Sequence, residues 1–234
     1  MAEAVPMCGR FALHASGQQL AEAVGAAQAP AVESSFNIPP GTAQWVAHAG
    51  PEGEVLFETL GWGYRPVWAG EDAPQPINAR AEKVASSPFF RDAFARYRCL
   101  VPASGWFEWQ KGESGKTPFY ITAAHGPLFF AGIYDPPREH SAGSFAIITQ
   151  PAAAPIRRIH PRMPLVLDPA CYSAWLDPDR NTRDAVKAAA RALTPTALKA
   201  WPVDTRVNRP ANDDPGLIEP VADSPGCPWA LRGR

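Results

Sequence analysis

Cys8 has the most distinctive chemistry in this chain, because it directly follows a methionine in Met7-Cys8-Gly9-Arg10-Phe11. If Met7 were the true start, removal of that methionine would make Cys8 the first residue. An N-terminal cysteine carries a thiol and a free α-amine on the same Cα, and both titrate at roughly pH 8. Such a pair can capture an aldehyde, the amine first as a Schiff base and the sulfur then by closing a thiazolidine ring.

Glu108 is a candidate proton-transfer group. It lies in Gly105-Trp106-Phe107-Glu108-Trp109, where three large aromatic side chains flank one carboxylate. Aromatic neighbours would exclude water from the carboxylate and raise its pKa, as proton transfer near neutral pH requires. In an extended strand Trp106 and Glu108 share one face. A surface glutamate on an alternating strand accounts for the same pattern equally well.

His160 is a second candidate for moving protons. It lies in Arg157-Arg158-Ile159-His160-Pro161-Arg162-Met163-Pro164, where two prolines restrict the backbone and three arginines flank the histidine. Histidine titrates near neutral pH and can shuttle protons, and the arginines could bind phosphates. A loop histidine on a basic surface is at least as common an explanation.

Three shorter signals are weak when taken singly. Asn78 and Arg80 would share one face of an extended segment and suit a sugar-phosphate contact, although a helix cap at Asn78 explains them too. Trp68 lies in a loop and could stack on an unpaired base, but packing onto the core is more common. Asn37 and Pro40 lie in a shaped turn, which alone accounts for them.

The composition fits one domain with a large core. The chain has 234 residues, 46% of them hydrophobic, and a net charge of −1, so any nucleic-acid site would be a local patch. The four cysteines form no CxxC pair, which argues against a zinc cluster or a disulfide framework and fits a reducing cytoplasm. No apolar run approaches the length of a membrane span.

The elements that would position these residues are mostly short strands, because prolines punctuate the apolar runs. We predict strands at 11–13, 44–49, 55–62, 99–102, 106–109, 119–123, 128–134, 145–149 and 165–167. We predict helices from Ser16 to about 27, at 169–176 after an Asp168 cap and at 182–200, a short helix or turn at 156–159, and interrupted helical stretches over 79–96. Segment 36–41 is predicted to be a loop, and 207–208 to be extended.

Six motifs follow one another along the chain. They are Met-Cys-Gly-Arg-Phe at 7–11, Phe-Asn-Ile-Pro-Pro-Gly-Thr at 36–42, Trp-Gly-Tyr at 62–64, Ile-Asn-Ala-Arg-Ala-Glu at 77–82, Gly-Trp-Phe-Glu-Trp at 105–109 and Ile-His-Pro-Arg-Met-Pro at 159–164. In this order they resemble the motifs of the SRAP family, the SOS response-associated peptidase domain. Their shared order over nearly the whole chain makes the resemblance specific.

The resemblance implies a single α+β domain, which we place at residues 7–222. We expect mixed, mainly antiparallel strands in a curved or barrel-like sheet, flanked by several helices. The family has a positively charged groove for single-stranded DNA, reacts with abasic sites in it and forms a thiazolidine DNA–protein cross-link. We therefore expect single-stranded DNA with abasic sites as the partner of a cytoplasmic monomer, nucleoid-associated when bound to DNA, with no metal, cofactor or membrane contact.

The motif matches imply a role for each residue. Cys8 is the nucleophile, Asn78 holds the abasic sugar, Glu108 positions or deprotonates the α-amine, and His160 moves protons during ring opening and Schiff-base formation. Val67 replaces a second tryptophan that the family has beside Trp68. The predicted DNA contacts are Arg10, Asn37, Pro40, Trp68, Arg80, Thr149 and Arg162.

The chain departs from the family at its front, because the family's cysteine usually follows the initiator methionine directly. We predict that residues 1–6 are absent from the active protein, as a leader that is cut off or a mis-assigned start, and that 223–234 form a disordered tail. Two alternatives stay open. One is a thiol autopeptidase that removes its own leader with Cys8 and Glu108 or His160. The other is a non-catalytic single-strand binding module with a structural Cys8.

Overall fold

Two β-sheets make up most of the fold. The computed structural model of the chain describes residues 8–70, 72–113, 115–139, 141–194 and 197–221. The predicted leader, 1–6, and the predicted tail, 223–234, lie outside the described residues. Within the described part, the two sheets pack around one main apolar core that includes Phe11, Trp62, Trp106 and Phe130.

The first sheet is antiparallel throughout, with the strand order β12-β8-β7-β1-β2. Its strands are β1 (Phe11–Leu13), β2 (Ser35–Ile38), β7 (Gly105–Gly112), β8 (Gly115–Ala123) and β12 (Leu198–Pro202).

The second sheet has the order β11-β10-β4-β3-β6-β9, and β5 also pairs with β10. Because β10 additionally pairs with β9, five of these strands close into a ring. Only the pairs β10–β4 and β10–β5 are parallel. The strands are β3 (Ala43–Ala49), β4 (Val55–Trp62), β5 (Asn78–Arg80), β6 (Arg98–Ala103), β9 (Leu128–Asp135), β10 (Ser144–Pro151) and β11 (Arg162–Pro164). The prediction of an α+β domain with a curved, mainly antiparallel sheet is confirmed.

The helices of the described residues are short and lie in the segments that connect the strands. They are α1 (Gly17–Val24), α2 (Arg91–Arg96), α3 (Tyr172–Leu176) and α4 (Arg183–Ala189), with 3-10 turns at Ile156–Arg158, Pro169–Cys171, Thr205–Asn208 and Pro215–Ile218. Ser16 and Asp168 cap their helices as predicted. Within the described ranges, no helix combines the length and apolar character needed to cross a membrane.

Strand β7 contains the aromatic motif, and its successive side chains point alternately into two apolar clusters. Trp106 faces the main core, whereas Phe107 joins a smaller cluster with Tyr120 and Val207. Gly105 permits this packing, because a Cβ there would lie 2.4 Å from the Tyr120 ring and 2.6 Å from a backbone oxygen. The predicted alternation of the two faces is therefore confirmed.

Several predicted elements need correction. The predicted helix 182–200 ends at Ala189, because Leu193 donates its amide hydrogen to Val166 and Leu198 begins strand β12. The predicted strand 165–167 lies at Arg162–Pro164 instead, with only single bridges following it. Segment 36–41 is in part strand β2, and Val207 and its successor form a 3-10 turn rather than an extended piece.

Candidate active site

Cys8 is the first described residue and is separated from β1 by Gly9 and Arg10. It is fully buried, and its φ of +41° is in the left-handed region that non-glycine residues rarely adopt. Its backbone N–H donates a 3.1 Å hydrogen bond to Oε1 of Glu108, across a hundred residues of sequence. Burial, with a smaller contribution from the Glu108 charge, raises the pKa of the Cys8 thiol well above its usual value. The resting thiol is therefore protonated.

Glu108 is buried on β7, with 2% of its surface exposed, so the alternative of a surface glutamate is wrong. Burial raises the pKa of its carboxyl to about 8, and the hydrogen bond from the Cys8 amide opposes that shift. A carboxyl with this pKa can both accept and release a proton near neutral pH, which is the property a general acid–base group needs.

His160 contacts Glu108 from the second sheet's side of the site. Its Nδ1 atom lies 3.7 Å from Glu108 Oε2, and the ring is mostly buried. The same Nδ1 lies 3.2 Å from the amide nitrogen of Arg162 and 3.0 Å from its carbonyl oxygen. A lone pair on Nδ1 can accept from the amide, and a proton there can be donated to the carbonyl. Both neutral tautomers of His160 are thus accommodated.

The predicted sugar and phosphate contacts, Asn78 and Arg80, lie on one strand, β5, next to β10. Asn78 pairs with Ile147 and Arg80 with Thr149 in the parallel β5–β10 ladder, so both side chains project from the same face of β5. Of the two alternatives for this pair, the extended segment is the one that the structure has and the helix cap is wrong, so the helical stretches predicted from residue 79 begin only after β5. The Arg80 side chain is exposed, whereas Thr149 is fully buried.

Arg162 is held firmly beside Thr149. Its Nη2 atom donates to the Thr149 carbonyl oxygen at 2.7 Å and to the Thr149 hydroxyl at 3.2 Å. Its two Nη atoms also form a bidentate ion pair with the carboxylate of Glu82. A continuous set of contacts and strand pairs therefore runs from Cys8 through Glu108, His160 and Arg162 to Thr149 and Arg80.

Arg10 and Asn37 hold a C-terminal segment against the site. Arg10 Nη1 donates to Asn37 Oδ1 at 2.7 Å and to the Val207 carbonyl at 2.9 Å, and burial lowers the pKa of this guanidinium. The Asn37 amide donates to the carbonyls of Val207, Arg209 and Asn212. Asn37 is 1% exposed, so its geometry is that of a brace. A direct contact of either side chain with DNA stays a prediction.

Trp68 and Pro40 lie in loops at the surface. Trp68 is 63% exposed, and its ring meets that of Phe89 in a T-shaped contact at a centroid distance of 5.7 Å. Core packing therefore does not account for Trp68, because most of the residue faces solvent. Pro40 is half-buried in a turn that Gly41 completes with a φ of +83°.

Sequence reasoning missed two parts of this site. One is the segment 205–212, which receives the Arg10 and Asn37 hydrogen bonds and whose Asn208 accepts one from Trp109 Nε1 at 2.8 Å. The other is Glu82, which stood in the Ile-Asn-Ala-Arg-Ala-Glu motif but had no assigned role. The only sequence signal for Glu82 was its place in the same motif as Asn78, four residues further on. In the described ranges, no group of three His, Cys, Asp or Glu side chains is arranged to hold a metal ion.

Comparisons with known proteins agree on one family. A model described as SOS response associated peptidase (SRAP) matches residues 7–210. The chain is 34% identical over 225 residues to the abasic site processing protein YedK of Escherichia coli strain K12, covering 92% of this chain and 100% of that protein. It is 30% identical over 224 residues to the abasic site processing protein YoqW of Bacillus subtilis strain 168, covering 91% and 99%. A crystal structure of a Bacteroides thetaiotaomicron protein shares the fold, with a TM-score of 0.78 at 22% identity, covering 92% of this chain and 100% of that one.

Proposed function

The chain belongs to the SOS response associated peptidase (SRAP) family, and on this premise we propose that it captures abasic sites in single-stranded DNA by a covalent bond to Cys8. The names of its relatives support action on abasic sites. One observation carries the proposal: the nitrogen of Cys8 is hydrogen-bonded to a buried glutamate of raised pKa. In a chain that begins at Cys8, that nitrogen is the α-amine.

The amine acts before the thiol. Since the resting thiol is protonated, the better nucleophile is the amine, once Glu108 has accepted a proton from it. The neutral amine attacks the aldehyde carbon of the ring-opened abasic sugar, and loss of water gives a Schiff base. The sulfur then adds to the same carbon, its proton passes to the nitrogen, and a five-membered thiazolidine results. The sulfur adds intramolecularly, which gives it a large effective concentration.

The surrounding residues transfer protons and bind the DNA. His160 donates and accepts protons during sugar-ring opening and loss of water, since its Nδ1 lies 3.7 Å from Glu108 and it can exist as either tautomer. Asn78 holds the sugar, Arg80 holds a flanking phosphate, and Trp68 stacks on a neighbouring base.

A denaturing gel tests the proposal. Protein whose N-terminus is Cys8 is incubated with an oligonucleotide that contains one abasic site, next to the Cys8→Ala variant. We expect a slow-migrating covalent band for the unchanged protein and none for the variant. A band that survives the substitution would remove the thiazolidine mechanism. DNA binding without any band would leave only a non-covalent binding module.

Removal of the leader by the protein itself is a second candidate function. The Cys8 nitrogen that Glu108 contacts is the leaving group of the Met7–Cys8 peptide bond, and the strained φ of Cys8 exists only while that bond is intact. The thiol would attack the carbonyl carbon of Met7, Glu108 would protonate the departing nitrogen, and water would hydrolyse the thioester.

The mass of the N-terminus tests this second function. The chain is expressed from Met1 as printed, as Cys8→Ala and as Glu108→Gln, and each purified protein is weighed intact. Self-cleavage predicts Cys8 as the first residue of the unchanged chain and retention of residues 1–7 in both variants. Cross-linking-competent protein that still begins at Met1 would contradict the need for a free Cys8 amine.

A further inference from the structure

Arg80 and Arg162 differ sharply in their surroundings, although both are predicted DNA contacts. Arg80 is exposed, and among the described residues it has no carboxylate within ion-pair distance. The Arg162 side chain is only 15% exposed and is paired with Glu82 through both Nη atoms, one of these contacts measuring 3.0 Å. One arginine is available to a phosphate, whereas the other already holds an anion.

The Glu82 carboxylate takes the position that a phosphate would take. Arginine binds carboxylates and phosphates through the same pair of parallel N–H donors, so a bidentate carboxylate occupies the donors a phosphate needs. Its negative charge also cancels much of the attraction that Arg162 would exert on an approaching strand. The Glu82 carboxylate stays ionised, because the hydrogen bond and charge of Arg162 and, to a lesser degree, the charge of Arg80 lower its pKa.

Arg162 does not depend on Glu82 for its orientation. Its Nη2 atom is fixed independently by the carbonyl and hydroxyl oxygens of Thr149, a fully buried residue in the middle of β10. The Glu82 side chain is 47% exposed and lies in the turn that follows β5, so it can swing into solvent. The pair thus has one fixed partner and one replaceable partner.

We propose that Glu82 is a specificity-determining residue that competes with DNA phosphate for Arg162 and so weakens the hold on undamaged single strands. The inference rests on the proposed function, in which an abasic strand is retained by its covalent bond. A strand without an abasic site gains no such bond, so the competition selectively shortens its residence. The net charge of −1 makes this effect significant, because the chain has no general excess of positive charge to mask it.

The test measures binding of a fluorescent single-stranded oligonucleotide that contains no abasic site, over a range of salt concentrations. Glu82→Gln should bind about two- to fivefold more tightly at low salt, the size expected for one partly exposed charge pair. Because Arg162 would gain a phosphate contact, the slope of log affinity against log salt should steepen by about 0.7.

Two matched variants separate competition from a general charge effect. Glu52→Gln makes the same charge change in the turn between β3 and β4, far from Glu82. That turn lies at one end of β4, and Trp62 lies at the other end, about 20 Å away. The Trp62 indole donates a hydrogen bond to Ile77, the residue before β5. Glu52→Gln should leave affinity and slope unchanged. In an Arg162→Ala background, Glu82→Gln should lose most of its gain in affinity and should no longer steepen the slope.

Weaker or unchanged binding by Glu82→Gln would overturn the inference, because Glu82 would then brace Arg162 or have no effect on it. Failure of the proposed function looks different. If the unchanged protein binds this oligonucleotide but forms no Cys8-dependent bond with an abasic one, the covalent mechanism fails while the Glu82 comparison can still be evaluated.

Discussion

Two regions of the candidate site have opposite environments. The first is the buried pair Cys8 and Glu108, which are 0% and 2% exposed. The second is the surface that carries Arg80 and Trp68, which face solvent. Burial shifts pKa values and creates proton-transfer groups, whereas exposure leaves charge and ring surface available to a polymer. Substitutions in the buried pair should therefore change mainly the rate, and substitutions on the exposed surface mainly the affinity.

The contact between Glu108 and His160 joins these two environments. The 3.7 Å approach of His160 Nδ1 links a β7 carboxylate to the segment that leads into β11. Substitutions in the buried pair and on the exposed surface therefore test whether rate and affinity are controlled separately.

Among substitutions that keep Cys8, Glu108→Gln should change the cross-linking rate more than any other changes rate or affinity. The amide keeps the shape but cannot accept the amine's proton, so cross-linking should slow by about 10²- to 10⁴-fold, the usual contribution of general acid–base catalysis. Affinity for the oligonucleotide should stay nearly unchanged, because a buried carboxylate adds no attraction for DNA. Single-turnover cross-linking and fluorescence anisotropy measure the two quantities. An equal loss in both would end the separation of rate from affinity.

The same carboxyl should make stability depend on pH in the chain printed from Met1. Its pKa is about 8 in the folded protein and 4.5 ordinarily, so between these values the unfolded state loses a proton that the folded state keeps. The free energy of unfolding should fall as pH rises from 4.5 to 8, by a few kcal/mol at about 1.4 kcal/mol per pKa unit, and then level off. Glu108→Gln should remove this slope in urea denaturation, with N-terminal masses checked. An identical slope in both proteins would argue against a raised pKa.

On the exposed side, Trp68→Ala should weaken DNA binding with little effect on the rate at saturating DNA. Stacking on one base contributes about 1–3 kcal/mol, so affinity should fall by about 5- to 150-fold. Val67→Trp tests the same surface in the other direction, because Val67 is 58% exposed and a second ring there should tighten binding. Unchanged affinity in both variants would remove this loop from the DNA interface.

The smallest expected effect is that of Arg80→Ala on salt dependence. Loss of one phosphate contact should reduce the slope of log affinity against log salt by about 0.7. The control is Arg91→Ala, which removes an exposed arginine at the start of α2. If both variants changed the slope equally, Arg80 would contribute only to the overall electrostatic attraction for DNA and would make no phosphate contact of its own.

Sequence patterns predicted the local elements better than the contacts between them. The strands predicted at 44–49 and 55–62 are present as β3 and β4, whereas helical stretches were predicted over 79–96 and residues 78–80 form strand β5. The helix predicted at 182–200 ends at Ala189, because Arg191 and Leu193 instead form backbone hydrogen bonds with Asp168 and Val166. Local propensity for helix cannot reveal such a distant partner.

The candidate site shows the same limit. The aromatic flanks of Glu108 indicated a desolvated carboxylate, but only the fold shows that the Cys8 amide and His160 are its partners. The braces from Arg10 and Asn37 to segment 205–212 join residues about 170 or more positions apart, which no local pattern encodes.

The intact mass of the DNA–protein adduct tests the central claim most directly. Protein beginning at Cys8 is reacted with an abasic oligonucleotide and weighed without reduction. A thiazolidine predicts the sum of the two masses minus one water, and no stable adduct from Cys8→Ala. No adduct from the unchanged protein would contradict this mechanism, and so would an equally stable Cys8→Ala adduct that is also one water lighter than the sum of its parts.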